Sequence, residues 1–118
     1  MPYRKTFTIP LEFITKGEIL ERMHKGSNFV LVDTVGTYQG NKFKIKGAKT
    51  VPFPEVIDRR GELAAYDETI VYCKNKRCPA SKIAAMGLKL QKVPNVKVYE
   101  GGIDEWMEHN LPVEEETG

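Results

Sequence analysis

The strongest constraint on the fold is a run of four apolar residues, Phe29-Val30-Leu31-Val32, that closes on Asp33. A strand with one wet face alternates apolar and polar side chains, whereas an uninterrupted run fits a strand buried on both faces, as in a parallel sheet. Residues 69–72 read as a second, central strand, and Val96-Lys97-Val98-Tyr99 as another. Helical patterns alternate with these runs. Thr15-Lys16-Gly17-Glu18 has capping-box spacing, and the helix it opens sets Ile19, Leu20 and Met23 on one face before Lys25-Gly26 ends it. Pro79 suits a first helical turn, where its missing N–H does no harm. The stripe Ala80, Ile83, Ala84, Gly87 and Leu88 then predicts a helix lying close on the sheet. Val93-Pro94-Asn95 breaks that helix, and Gly101-Gly102 turns the chain into a short one over 103–109, with Trp106 as a core anchor. Strands alternating with helices predict an α/β fold around a parallel sheet.

The rest of the chain is less regular. Residues 1–12 read as an N-terminal extension in which Phe7-Thr8-Ile9 could form a short edge strand. Residues 34–46 read mostly as loop, with Tyr38 and Phe43 anchored against the domain, and Gly47-Ala48-Lys49-Thr50-Val51 as a short strand stopped by Pro52. Pro54 is expected to open a helical turn, and residues 114–118, with Glu114-Glu115-Glu116, to form a frayed acidic tail. The 118 residues suffice for one domain, spanning 1–118, with its own core. A net charge of +2, with cations and acids interleaved, argues against nucleic acid as a partner. There is no apolar run of membrane-spanning length and no secretory signal pattern. The expectation is a cytoplasmic monomer that needs no cofactor.

Chemistry concentrates in Cys73-Lys74-Asn75-Lys76-Arg77-Cys78, which holds both cysteines and three cations between a strand and a helix. Helix N-termini carry partial positive charge, and together with neighbouring cations they lower a thiol pKa and make it a nucleophile. Cys73 is therefore the candidate nucleophile, and Lys74, Lys76 and Arg77 are expected to lower its pKa. The same cations could instead be an ordinary solvated patch, and a buried cysteine is often only core filler. Cys78 is either a thiol tucked against the helix start or a resolving partner that attacks a modified Cys73 or closes a disulfide with it. Zinc is disfavoured: beyond the two cysteines only His24 and His109 remain as nitrogen ligands, and both read as helix-end residues. Phosphatase chemistry needs an arginine six positions after the cysteine, where this chain has Pro79. Asp33 reads as structural, accepting nearby backbone N–H groups.

Four segments together resemble the single-domain rhodanese family over roughly residues 13–113. They are Val30-Leu31-Val32-Asp33; Ile45-Lys46-Gly47-Ala48 with Val51-Pro52; Val71-Tyr72-Cys73 with Ser81, Ala84, Ala85 and Leu88; and Val98-Tyr99-Glu100-Gly101-Gly102-Ile103 with Trp106 and Leu111-Pro112-Val113. The resemblance implies a parallel five-stranded sheet flanked by helices on both faces. It also implies a rhodanese-type sulfurtransferase in which Cys73 carries sulfane sulfur as a persulfide. Residues Lys74, Asn75, Lys76, Arg77 and Cys78 would then bind the donor, their amides cradling the transferred sulfur. The implied partners are a small sulfur-containing anion such as thiosulfate, or a persulfide donor, and a protein thiol, a small thiol or cyanide as acceptor. The family often has valine-arginine after its aspartate and a glycine three residues after its cysteine; here Thr34-Val35 and Lys76 stand there. A thiol-redox sensor using Cys73 and Cys78, or a non-catalytic binding module on the same fold, are the alternatives.

Overall fold

The seven strands are β1 (Glu12–Phe13), β2 (Phe29–Asp33), β3 (Phe43–Ile45), β4 (Lys49–Thr50), β5 (Glu68–Tyr72), β6 (Val96–Tyr99) and β7 (Val113–Glu115). The helices are α1 (Lys16–Lys25), α2 (Ala80–Leu90) and α3 (Gly102–Glu108), with short 3₁₀ turns at Phe53–Glu55 and Arg60–Leu63. This is a computed structural model, and it describes residues 9–36 and 42–116. Five strands form one parallel sheet in the order β1-β6-β5-β2-β4, as the apolar runs predict. The middle is the most extensively paired: β2 runs beside β5 from Phe29 opposite Glu68 to Asp33 opposite Tyr72.

Side chains alternate across the sheet, so each strand feeds two core layers. Val30, Val32, Val71, Val96 and Val98 meet Ala84, Ala85 and Leu88 of α2, with Val56 and Leu63 from the connection after β4. Leu31, Ile70, Tyr72 and Tyr99 meet Ile19 of α1 and Ile103 and Trp106 of α3 on the other face. Helices thus cover both faces, which is why the central strands read as unbroken apolar runs. Among the described residues, no helix is long and apolar enough to cross a membrane.

Local signals explain the element ends. Thr15 and Glu18 close the capping box in both directions, and Gly26 ends α1 with φ +69°. Such a cap contributes about 1 kcal/mol. Trp106 is fully buried, donates from Nε1 to the Pro112 carbonyl at 2.8 Å and meets Tyr99 edge-on. At the N-terminal end of the sheet, Glu68 accepts from Arg22 Nη2 at 3.1 Å and pairs with Lys97 at 2.8 Å. Burial pushes the Glu68 carboxyl up, but these two cations outweigh it and hold the group below its usual range.

Three expectations need correction. Ile83 is exposed, whereas Ala80, Ser81, Ala84, Ala85 and Leu88 are buried. At about 100° per residue the buried arc centres between Ala84 and Ser81, which leaves Ile83 on the far side. The acidic segment is not frayed over 114–116. Glu114 pairs with Lys44 and Glu115 with Phe43 in an antiparallel β3–β7 ribbon, and Thr50 Oγ1 donates to Glu116 at 2.8 Å. Residues 43–45, expected as loop, supply the other strand of that ribbon, where Phe43 is half-buried. The anchoring of Tyr38, and Phe7-Thr8 of the suggested edge strand, lie outside the described residues.

Candidate active site

Cys73 follows directly on β5, the middle strand, at the C-terminal end of the sheet where open α/β folds bind ligands. Its backbone is held from both sides. The Tyr72 carbonyl accepts from the Thr34 amide at 3.0 Å and the Thr34 hydroxyl at 2.8 Å. The Cys73 and Lys74 carbonyls accept from the first-turn amides of α3, Ile103 at 3.0 Å and Asp104 at 2.9 Å. This docking requires Gly102: it sits at φ +67°, and a Cβ there would collide with both carbonyls.

Asn75 folds the following loop back on itself. Its carbonyl accepts from the Cys78 amide at 3.1 Å, its Oδ1 from the Arg77 amide at 3.0 Å, and its Nδ2 donates to Asp104 at 3.0 Å. The chain then enters α2 with Pro79 as N-cap, and Ser81 in the first turn comes to lie against the sulfur.

The Cys73 thiol occupies a small cluster with Val35, Cys78 and Ala80, separate from the two core layers. Its Sγ lies 3.2 Å from the Cys78 carbonyl, 3.5 Å from Ser81 Oγ and 3.8 Å from the Asn75 carbonyl. The Ser81 amide also favours its ionised form, and Cys78 shares the buried cluster with it without a disulfide. Cys73 is 2% exposed and Cys78 8%.

Burial pushes the Cys73 thiol above its usual pKa, and the neighbouring Cys78 adds to the rise; the Ser81 hydroxyl and amide oppose both. The sequence predicts the reverse, a thiol lowered by Lys74, Lys76 and Arg77. The difference has a clear cause. Lys74 Nζ is paired with Asp104 at 3.2 Å, and Lys76 and Arg77 are exposed to screening water. Of the amides expected around the sulfur, those of Arg77 and Cys78 donate to Asn75 instead. The groups that do oppose the rise come from Ser81, a residue the sequence offers only within the family-like segment after Cys73.

A model of the rhodanese-like domain matches residues 15–109. The chain belongs to the rhodanese-like domain family. It is similar to the HTH-type transcriptional regulator Rv0324 of Mycobacterium tuberculosis, 30% identical over 106 residues that make up 90% of this chain and 46% of the regulator. The chain therefore spans about half the length of that relative. Among solved structures, a full-length protein from Lactobacillus plantarum superposes with a TM-score of 0.78 at 26% identity, covering 87% of each chain. A thiosulfate sulfurtransferase from Pseudomonas aeruginosa gives 0.74 at 21% identity, over 91% of this chain and 21% of that one, a likeness of fold.

Within the rhodanese-like domain, the structure gathers Cys73, Asn75, Cys78 and Ser81 around one sulfur and leaves Lys76 and Arg77 on the rim. Ser81 had one legible signal, its place after Cys73 in the family-like segment. Gly102 was legible only as a turn glycine of the family-like segment and Asp104 not at all, because both meet the loop only through the fold. Asp33 accepts from the Val35 and Gly36 amides at 3.1 and 2.9 Å, the structural role expected of it. Burial, and a hydrogen bond shared with the Glu116 carboxyl, push Asp33 up to about 7. His24 and His109 stand at the ends of α1 and α3, as their sequence context suggests.

Proposed function

We propose that this rhodanese-like domain is a sulfurtransferase that carries sulfane sulfur as a persulfide on Cys73. The observation that supports this best is the position of the sulfur: at the end of the middle strand, with the Ser81 amide and hydroxyl of the α2 first turn directed at it. Those two donors stabilise a thiolate, and the helix end adds a favourable field. In the first half-reaction the thiolate attacks the outer sulfur of thiosulfate. A Cys73 S–S bond forms, the donor S–S bond breaks, and sulfite leaves with its electron pair. In the second, a thiol or cyanide takes the outer sulfur and the Cys73 thiolate returns, giving ping-pong kinetics. Lys74, Asn75, Lys76, Arg77 and Cys78 form the loop that meets the donor, and exposed Lys76 and Arg77 raise the local concentration of an anion.

The test is intact mass after thiosulfate treatment. The parent should gain the mass of one sulfur atom and Cys73→Ser none. Failure of thiosulfate and polysulfide alike to modify the parent would overturn the reading in favour of a binding module.

The burial of two free cysteines in one cluster favours a second reading, a redox-sensing pair. Peroxide would take two electrons and two protons from the thiols and join them as a disulfide. Equal peroxide sensitivity of the parent and Cys78→Ser would dismiss it.

A further inference from the structure

Cys78 sits where an internal second nucleophile would have to sit. It shares a buried cluster with Cys73, whose Sγ lies 3.2 Å from the Cys78 carbonyl, and the loop between them is braced by the three hydrogen bonds of Asn75. The residue that would carry the persulfide is 2% exposed, so a bulky external thiol has little room to approach its inner sulfur. Cys78 needs no approach. A group held in contact competes with a diffusing one at a large effective concentration. Attack on the inner sulfur, rather than the outer one, is what an adjacent thiol on the same loop can achieve, because its partner is the Cys73 Sγ itself.

Building on the sulfurtransferase reading, we propose that Cys78 resolves the Cys73 persulfide by attacking the Cys73 sulfur and releasing the transferred sulfur as hydrosulfide. The bond that forms is Cys73–Cys78, and the bond that breaks joins Cys73 to the outer sulfur. The proton of the Cys78 thiol moves to the departing sulfur, which leaves as HS⁻ with the electron pair of the broken bond. The sulfane sulfur is reduced to sulfide by the two electrons released when two thiols become one disulfide. A dithiol then reopens the disulfide by exchange. The net reaction consumes thiosulfate and a dithiol and yields sulfite, hydrogen sulfide and an intramolecular disulfide of the dithiol. The substrate class added here is thus a dithiol reductant, in place of a sulfur acceptor.

The experiment is a single turnover of the full chain with thiosulfate and no added thiol. The parent should first gain one sulfur atom, then release one equivalent of sulfide, and end two hydrogens lighter than the reduced protein. Peptide mapping should find Cys73 joined to Cys78. Whatever sulfur Cys78→Ser takes up should stay on Cys73, and sulfide released without added thiol, per sulfur atom loaded, should appear at least about tenfold more slowly than in the parent. Dithiothreitol should restore the parent to its starting mass. A parent that holds a stable persulfide overturns the resolving role while sulfur transfer stands. So does a Cys78→Ser variant that releases sulfide at the parental rate. No loading of the parent by thiosulfate or polysulfide overturns both. The parental measurement requires no variant, so it is decisive even if Cys78→Ser folds poorly.

Discussion

At Cys73 two opposing influences meet in one atom. Burial and the Cys78 thiol favour the neutral form, and the Ser81 amide and hydroxyl favour the thiolate. Because the folded thiol titrates above the ordinary value of 9.0, the thiolate fraction keeps growing with pH across the neutral range. Sulfur loading should therefore rise about tenfold per pH unit from 6 to 8, with no plateau near neutrality. A stopped-time mass assay would reveal a plateau if the rim cations dominated after all. Ser81→Ala removes one of the two donors, and a hydrogen bond to a charged group contributes about 1.5–3 kcal/mol. Loading at neutral pH should slow about tenfold or more, and recover in part as the pH is raised. Asp33 gives a prediction of opposite character, about stability. Its ordinary value is 3.8 and its folded value about 7, so the folded chain holds a proton that the unfolded chain releases. Its contribution is full below the ordinary value, declines as pH rises through the interval to about 7, and levels off above it. Asp33→Asn should flatten that slope, because the amide accepts from Val35 and Gly36 and donates to Glu116 at every pH. Urea unfolding at pH 5 and pH 8 should show the difference between the two pH values shrink by about 1 kcal/mol or more.

At the scale of elements, the site depends on where α2 and α3 are docked. The roll of α2 that leaves Ile83 in water is the same roll that turns Ser81 inward onto the sulfur. The apolar pattern alone counts Ile83 into the buried stripe and misses this, since alanine and serine carry little periodic signal even where they are buried. The first turn of α3 holds the loop by its carbonyls, so Gly102→Ala should damage the site from a distance. We expect a loss of about 1–3 kcal/mol from the left-handed backbone and the collision, and sulfur loading down at least tenfold. Gly61→Ala, where a Cβ meets open space, is the control and should leave loading unchanged. The β3–β7 ribbon marks a further limit of the sequence. Val113-Glu114-Glu115 looks like a solvated tail because its partner lies about 70 residues earlier, beyond any local pattern.

For the whole molecule, the parallel sheet was the most legible feature, because burial of both faces writes itself into the sequence as unbroken valine, isoleucine and leucine. The capping box of α1 and the cysteine at the end of the middle strand were equally open to reading. Electrostatics was not: the cations beside Cys73 were visible in the sequence, but Asp104, which neutralises Lys74, arrives from another element. The pairing pattern also sets an order of local stability. The β5 amides, paired on both sides, should exchange with solvent last, and those of the two-residue β1 and β4 first; native-state hydrogen exchange would read this directly. The cluster of Arg22, Glu68 and Lys97 lies at the opposite end of the strands from Cys73. All five strands of the main sheet point the same way, so the domain has two poles, one braced by charge and one bearing the thiol. That polarity offers a practical handle. A probe, tether or surface attached at the charged pole, through the loops around Asn28, Asp67 and Asn95, would hold every molecule with its Cys73 end turned outward.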